Sequence, residues 1–114
     1  MTTQIMSMTK DVNGLTDYGL NFTPVNKQTV LAATVEQHFT VPFGFDIWEL
    51  IFSFEPGATV WVALNTTATL PGGSFSDTAS QLNPAVRRAK AGDTISFITN
   101  DTTAEIGISL YAVS

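Results

Sequence analysis

Apolar and polar residues alternate at period two along most of this chain, and no stretch shows a helical period. In TVLAATVEQHFTVP (29–42), Leu31, Ala33, Val35, Phe39 and Val41 share one face, while Thr34, Glu36, His38 and Thr40 share the other. That pattern predicts one half-buried strand, ended by Pro42. After the turn PFGFD, IWELIFSFE (47–55) sets Trp48, Leu50, Phe52 and Phe54 against Ile47, Glu49, Ile51 and Ser53. GATVWVALN (57–65) sets Val60, Val62 and Leu64 against Trp61 and Ala63.

AVRRAK (85–90), TISFIT (94–99) and EIGISLYAVS (105–114) read as further strands, parted by the turns AGD and NDTTA. The last of them places Ile106, Ile108, Leu110 and Ala112 inward. Gly, Pro, Asn or Asp punctuates the runs about every ten residues, the spacing of a sandwich or barrel. The expectation is an all-β chain, an antiparallel β-sandwich of jelly-roll-like form with about seven or eight strands. Residues 1–29 read as an N-terminal arm or irregular cover segment, and 30–114 as the sandwich domain. Segment 67–85 is long and patternless, and loops of that kind are functional or packed by a partner.

Two of the strands are apolar on both faces. A lone sandwich keeps its outer faces polar, so 47–55 and 57–65 need cover on the outside. A neighbouring subunit and the N-terminal segment of the same chain are equally good sources of it.

Composition narrows the function classes. With 114 residues the chain is one domain with one core. Charged residues are 13% of it, about half the usual share of roughly 25%, which leaves much surface suited to protein contact. A net charge of −5 and a pI near 4.4 argue against a nucleic-acid partner, which requires a broad basic face. Without cysteine there are no disulfides, thiolate nucleophiles or zinc–thiolate sites. MTTQIMSMTKDVNG lacks the basic and apolar blocks of a signal peptide, and no apolar run reaches a membrane span. Synthesis in a cytoplasm without membrane attachment is expected, so the Asn-x-Thr triplets at Asn21, Asn65 and Asn100 are not read as glycosylation sites.

Candidate chemistry is sparse. His38 is the sole histidine and shares a face with Glu36, too few ligands for a metal site. A Ser-His-Asp triad would have to use His38, and PGGSF (71–75) is a turn and not a nucleophile elbow. Asp77, Asp93, Asn100 and Asp101 lie in turns, where such residues cap the backbone. No catalytic residue, metal or cofactor is expected, and the chain is not read as an enzyme. Trp48 and Trp61 lie within strands and are read as core, in preference to sugar-stacking platforms.

Arg87, Arg88 and Lys90 are three of the five basic residues. In a strand, Arg87 lies on one face and Arg88 with Lys90 on the other. Such a cluster suits carboxylates of a neighbouring protein. It equally suits an edge strand guarded against aggregation by its charges.

FTVPFGFDIWELIFSFEPGATVWVALNTTATLPGGSFSDTASQLNPAVRRAKAGDTISFIT, ending in ISLYAVS, resembles small virion proteins of tailed bacteriophages that decorate or cement the capsid. The resemblance covers most of 30–114. It implies a structural role on the capsid surface of the virion, as a homotrimer or dimer bound to the major capsid protein and reinforcing the head. On this reading the expected contact residues are Tyr18 and Phe22, Phe75 and Leu82 of the 71–84 segment, and Arg87 and Arg88. The alternative is a glycan-binding module of a phage fibre, spike or baseplate.

Overall fold

The computed structural model describes residues 22–75 and 79–113, and all regular structure within them is β. The strands are β1 (Asn26–Ala32), β2 (Gln37–Thr40), β3 (Ile47–Phe54), β4 (Val60–Leu64), β5 (Gln81–Leu82), β6 (Val86–Lys90), β7 (Thr94–Thr99) and β8 (Thr103–Val113). They form two four-stranded sheets, β1-β8-β3-β6 and β2-β7-β4-β5, in which every ladder is antiparallel. The expected all-β antiparallel sandwich is therefore present.

One face of each sheet supplies the core. Leu31, Trp48, Leu50, Ile106, Ile108 and Leu110 come from the first sheet, and Val60, Val62, Ile95 and Phe97 from the second. Phe52 and Phe97 meet edge to face across the gap with ring centroids 6.2 Å apart, and Phe39 stacks on Phe97 at 6.0 Å. Alternating burial along β3 and β8 reproduces the period-two pattern of the sequence. The predicted faces of 47–55 and 105–114 are the observed ones.

The run 29–42 is not one strand. It breaks at 33–36 and its halves join different sheets, β1 pairing with β8 and β2 with β7. Thr34 takes a left-handed φ of 60° and donates its amide to the Thr99 carbonyl at 2.8 Å. Ala33 and Val35, read as core, are exposed at this corner. The physical reason is that a chain crossing between facing sheets keeps its inward side toward the same core. Leu31 and Val41 are both fully buried, so the alternation runs on in phase through the bend and hides it.

The second difference concerns the outer faces. On β4, Ala63 is buried although it points away from the core, and its cover is the segment after the strand. Ala68 lies over the sheet, its amide donating at 2.8 Å to the Oγ of the buried Ser96 on β7. Thr69 is tied to Ser80 Oγ at 3.1 Å, which closes the base of the same excursion. The patternless loop of this chain thus shelters part of the two-sided strand. Trp61 lies on that outer side and stands apart from the core, whereas Trp48 is buried in it.

β1 begins at Asn26, so 26–29 are strand and not arm. Thr23 and Val25 continue the association with β8: Thr23 Oγ1 donates to the Leu110 carbonyl and Leu110 N to the Val25 carbonyl, both at 2.9 Å. The remainder of the predicted arm, with Tyr18, lies outside the described residues.

Candidate functional site

The basic cluster sits on β6, the edge strand of the first sheet. Register decides the direction of each side chain. Arg87 is paired with Leu50 and therefore belongs to the inward row, while Arg88 and Lys90, opposite Glu49 and Ile47, belong to the outward row. Across the flank of the sandwich lies β5, the edge of the second sheet, whose Gln81 is paired with the inward Val62. Arg87 Nε donates to Gln81 Oε1 at 2.7 Å, and Arg87 Nη1 donates to the Val86 carbonyl at 2.7 Å. Arg88 Nε stands 3.9 Å from Glu49 Oε2, a loose and largely solvated pair.

The opposite flank is bridged in the same manner. Thr29 Oγ1 of β1 donates to Gln37 Oε1 of β2 at 2.9 Å, and Gln37 Nε2 donates to the Val30 carbonyl at 3.1 Å. A glutamine on the second sheet thus reaches the edge strand of the first on either side. Lys27, paired with Ile108, takes an inward position on β1 as Arg87 does on β6. Inward-row cations on both edges of one sheet oppose its extension by a further strand.

Exposed apolar residues collect at one end of the sandwich. Phe43 is 77% exposed, and Phe45, Ile47 and Leu64 are also exposed. The turn that carries the two phenylalanines is held to the 91–93 turn by Val41 N to the Asp93 carbonyl at 2.8 Å and Ala91 N to the Asp46 carbonyl at 2.9 Å. Trp48 Nε1 donates to the Phe45 carbonyl at 3.2 Å, and the two rings meet edge to face at 6.0 Å. Sequence reading missed Phe43 and Phe45 as surface residues. The signal was present, because turns favour small polar residues and PFGF spends aromatics there.

Of the expected contact residues, Leu82 faces outward beside Trp61 and is half exposed. Phe75 is fully exposed and, with Trp61, lines a surface cavity of about 350 Å³ that also holds Thr69, Ser74 and Ser80. Leu82 directly follows Gln81, the partner of Arg87, whereas Arg88 belongs to the outward row of the other sheet. Phe22 is fully exposed but adjoins β1, across the sheet from β6 by three strand spacings, about 14 Å. The structure does not bring it to the arginines. Tyr18 is outside the described residues.

The histidine does lie near a serine and a carboxylate, in an order unlike a triad. Glu36 is central: Ser96 Oγ donates to its Oε2 at 2.5 Å and His38 Nδ1 lies 3.2 Å from it. The Ser96 hydrogen bond holds the Glu36 carboxyl below its ordinary value, against the opposing effect of burial, and His38 adds to it. Since Ser96 also accepts from Ala68, this trio pins the covering loop to the sheet. Asp93 is likewise held below its ordinary value by the Lys90 backbone amide at 2.8 Å and then by Asn65 Nδ2 at 3.1 Å. Asp101 Oδ2 accepts from Thr59 N at 2.8 Å. These two turn carboxylates cap backbone, as their positions predicted. Among the described residues no group of three or more His, Asp and Glu is placed to hold a metal.

Comparison with known proteins finds no matching family model, no similar curated protein and no similar solved structure.

Proposed function

We propose that this chain is a virion structural protein that decorates or cements a phage capsid through protein–protein contacts with the major capsid protein. The observation that carries the reading is the exposed apolar end formed by Phe43, Phe45, Ile47 and Leu64, next to the cations of β6, with the phenylalanine turn hydrogen-bonded to the 91–93 turn. Exposed aromatics ringed by polar residues are what a contact patch requires. The two four-stranded antiparallel sheets, β1-β8-β3-β6 and β2-β7-β4-β5, support it, since double-sheet β architectures recur in viral capsid proteins. Fold alone does not assign function, so the weight rests on the surface.

Contact at such a patch is multiplied by repetition. Many copies on a lattice, or a trimer or dimer of this chain, gain from effective concentration without strong single contacts. The test is co-sedimentation of the purified chain with shells assembled from the major capsid protein. Saturable occupancy that falls on Phe43→Ser with Phe45→Ser, and at low salt on Arg87→Ala with Arg88→Ala, supports the proposal. Unchanged occupancy in both double variants overturns the assigned surface, and absence of binding by the folded wild-type chain overturns the role.

One observation favours the glycan-binding alternative. Trp61 and Phe75 flank a hydroxyl-bearing surface cavity, the combination of ring and polar groups that sugar stacking uses. Glycan-array binding lost in Trp61→Ala, with no binding to shells, would move the assignment there.

A further inference from the structure

The flank between β4 and β6 is open, for a reason written in strand lengths. β5 has only two residues and pairs with β4 at Trp61 and Val62, so Ala63 and Leu64 have no strand beside them on that side. Leu64 belongs to the inward row of β4 and is nevertheless 52% exposed. Its exposed side chain borders a cleft of about 230 Å³ that reaches between the sheets, where the floor is the buried Leu50, Phe52, Val62 and Ile95. The mouth is lined by Arg87, Arg88 and Gln81.

We infer that this cleft binds a small carboxylic acid with a short apolar chain, the tail between the sheets and the carboxylate at the arginines. Three features support that chemistry. The space exceeds the roughly 150 Å³ that accommodates a benzene ring in a dry apolar cavity, which suits a chain of about six to eight carbons. Arg87 commits Nε to Gln81 and Nη1 to a carbonyl, and among the described residues no carboxylate pairs with it. Guanidinium is the side-chain cation best matched to a planar carboxylate. Arg88 has only a 3.9 Å approach to Glu49, which an incoming carboxylate displaces at little cost.

The surrounding charges agree with an anion. Beyond Arg88 the cleft passes into a second hollow lined by Lys90, Ile47 and Asp93. Among the described residues Asp93 is the one acid lining it, and both its carboxylate oxygens already accept hydrogen bonds, from Lys90 N and from Asn65. In a chain of net charge −5, this flank gathers three of five basic residues around an apolar slot.

The experiment is an amide and side-chain NMR titration of the isolated full chain with octanoate, kept below its micelle concentration. Octan-1-ol and acetate serve as tail-only and head-only probes, and no capsid contact enters the result. The expected outcome is saturable shifts centred on Leu64, Ala89 and Arg87, with each partial probe at least tenfold weaker. Arg87→Met with Arg88→Met removes the preference for octanoate over octan-1-ol, and Leu64→Trp abolishes binding by filling the slot. Equal binding of octan-1-ol, equal binding of acetate, shifts centred elsewhere, or no saturation overturns the inference. Retained dispersion of the variant spectra distinguishes a lost site from a lost fold.

Discussion

Arg87 on the edge of one sheet donates to Gln81 on the edge of the other at 2.7 Å, so a side-chain hydrogen bond bridges the open flank of the sandwich. Because Arg87 occupies an inward register position, its charge cannot be buried and instead lies along the rim. The pairing resolves the role of a cationic cluster in an acidic chain at the level of local structure. Arg87 spans the sheets, whereas Arg88 and Lys90 belong to the outer row.

Arg87→Ala is expected to lower stability by no more than about 1 kcal/mol, since the contact is exposed and neutral at one end. Gln81→Ala should cost about the same, and the double variant little more than either. Urea unfolding of the four members of this cycle measures it. A loss above about 2 kcal/mol in Arg87→Ala would show that the bridge holds the flank shut.

Gly92 supports the position of Phe43. It has a φ of +87°, and a Cβ there would meet the Phe43 ring at 3.1 Å. Gly92→Ala is therefore expected to destabilise by about 1–2 kcal/mol from the left-handed backbone alone, with a further loss from the ring contact. Adding Phe43→Ala should recover the second part and not the first. Thermal melts of the single and double variants separate the two contributions.

Asn83 turns the chain into β6 from a left-handed φ of 42°. Its Oδ1 accepts from Val60 N and its Nδ2 donates to the Ala58 carbonyl, both at 2.8 Å. Asn83→Ala is expected to cost about 1–3 kcal/mol, because two backbone groups lose their partner and the φ is unfavourable. Asn83→Gly removes the same hydrogen bonds and tolerates the φ, so it should cost less. Denaturant midpoints rank the pair.

Acid should weaken the loop cover before the core. Glu36 and Asp93 both have folded-state values below their ordinary ones of 4.5 and 3.8. Their contribution is present above those ordinary values and is lost as pH falls through the lowered, folded-state ones. Stability should thus decline with falling pH below about 4.5, and Glu36→Gln should flatten part of that decline. Ser96→Ala should do the same, since its hydroxyl is the leading cause of the Glu36 shift. Hydrogen exchange of the Ala68 amide, followed from pH 6 to pH 3, reports the release. An unchanged pH slope in Glu36→Gln would refute this account.

Much of the fold was legible because period-two alternation is a local property. Trp48, Leu50 and Phe52, or Ile106, Ile108 and Leu110, declare their buried face through the residues next to them. The break at Ala33–Thr34 was not legible, because Leu31 in β1 and Val41 just after β2 keep the same phase although β1 and β2 belong to different sheets. Leu64 misled for a related reason: its row is inward, but whether that row is covered depends on how far β5 extends along β4.

The same division holds for the candidate site. That Arg87 and Arg88 face opposite ways follows from adjacency in a strand, and the sequence alone determined it, together with the all-β class, the core rows and the capping roles of Asp93 and Asp101. Which cation meets Gln81, that Ala68 covers Ser96, and that Phe43 lies against Gly92 were decided by tertiary structure alone. Each of those contacts joins segments whose approach is set by strand order and register across two sheets. Side-chain periodicity records which way a residue faces, and only the folded chain determines what it faces.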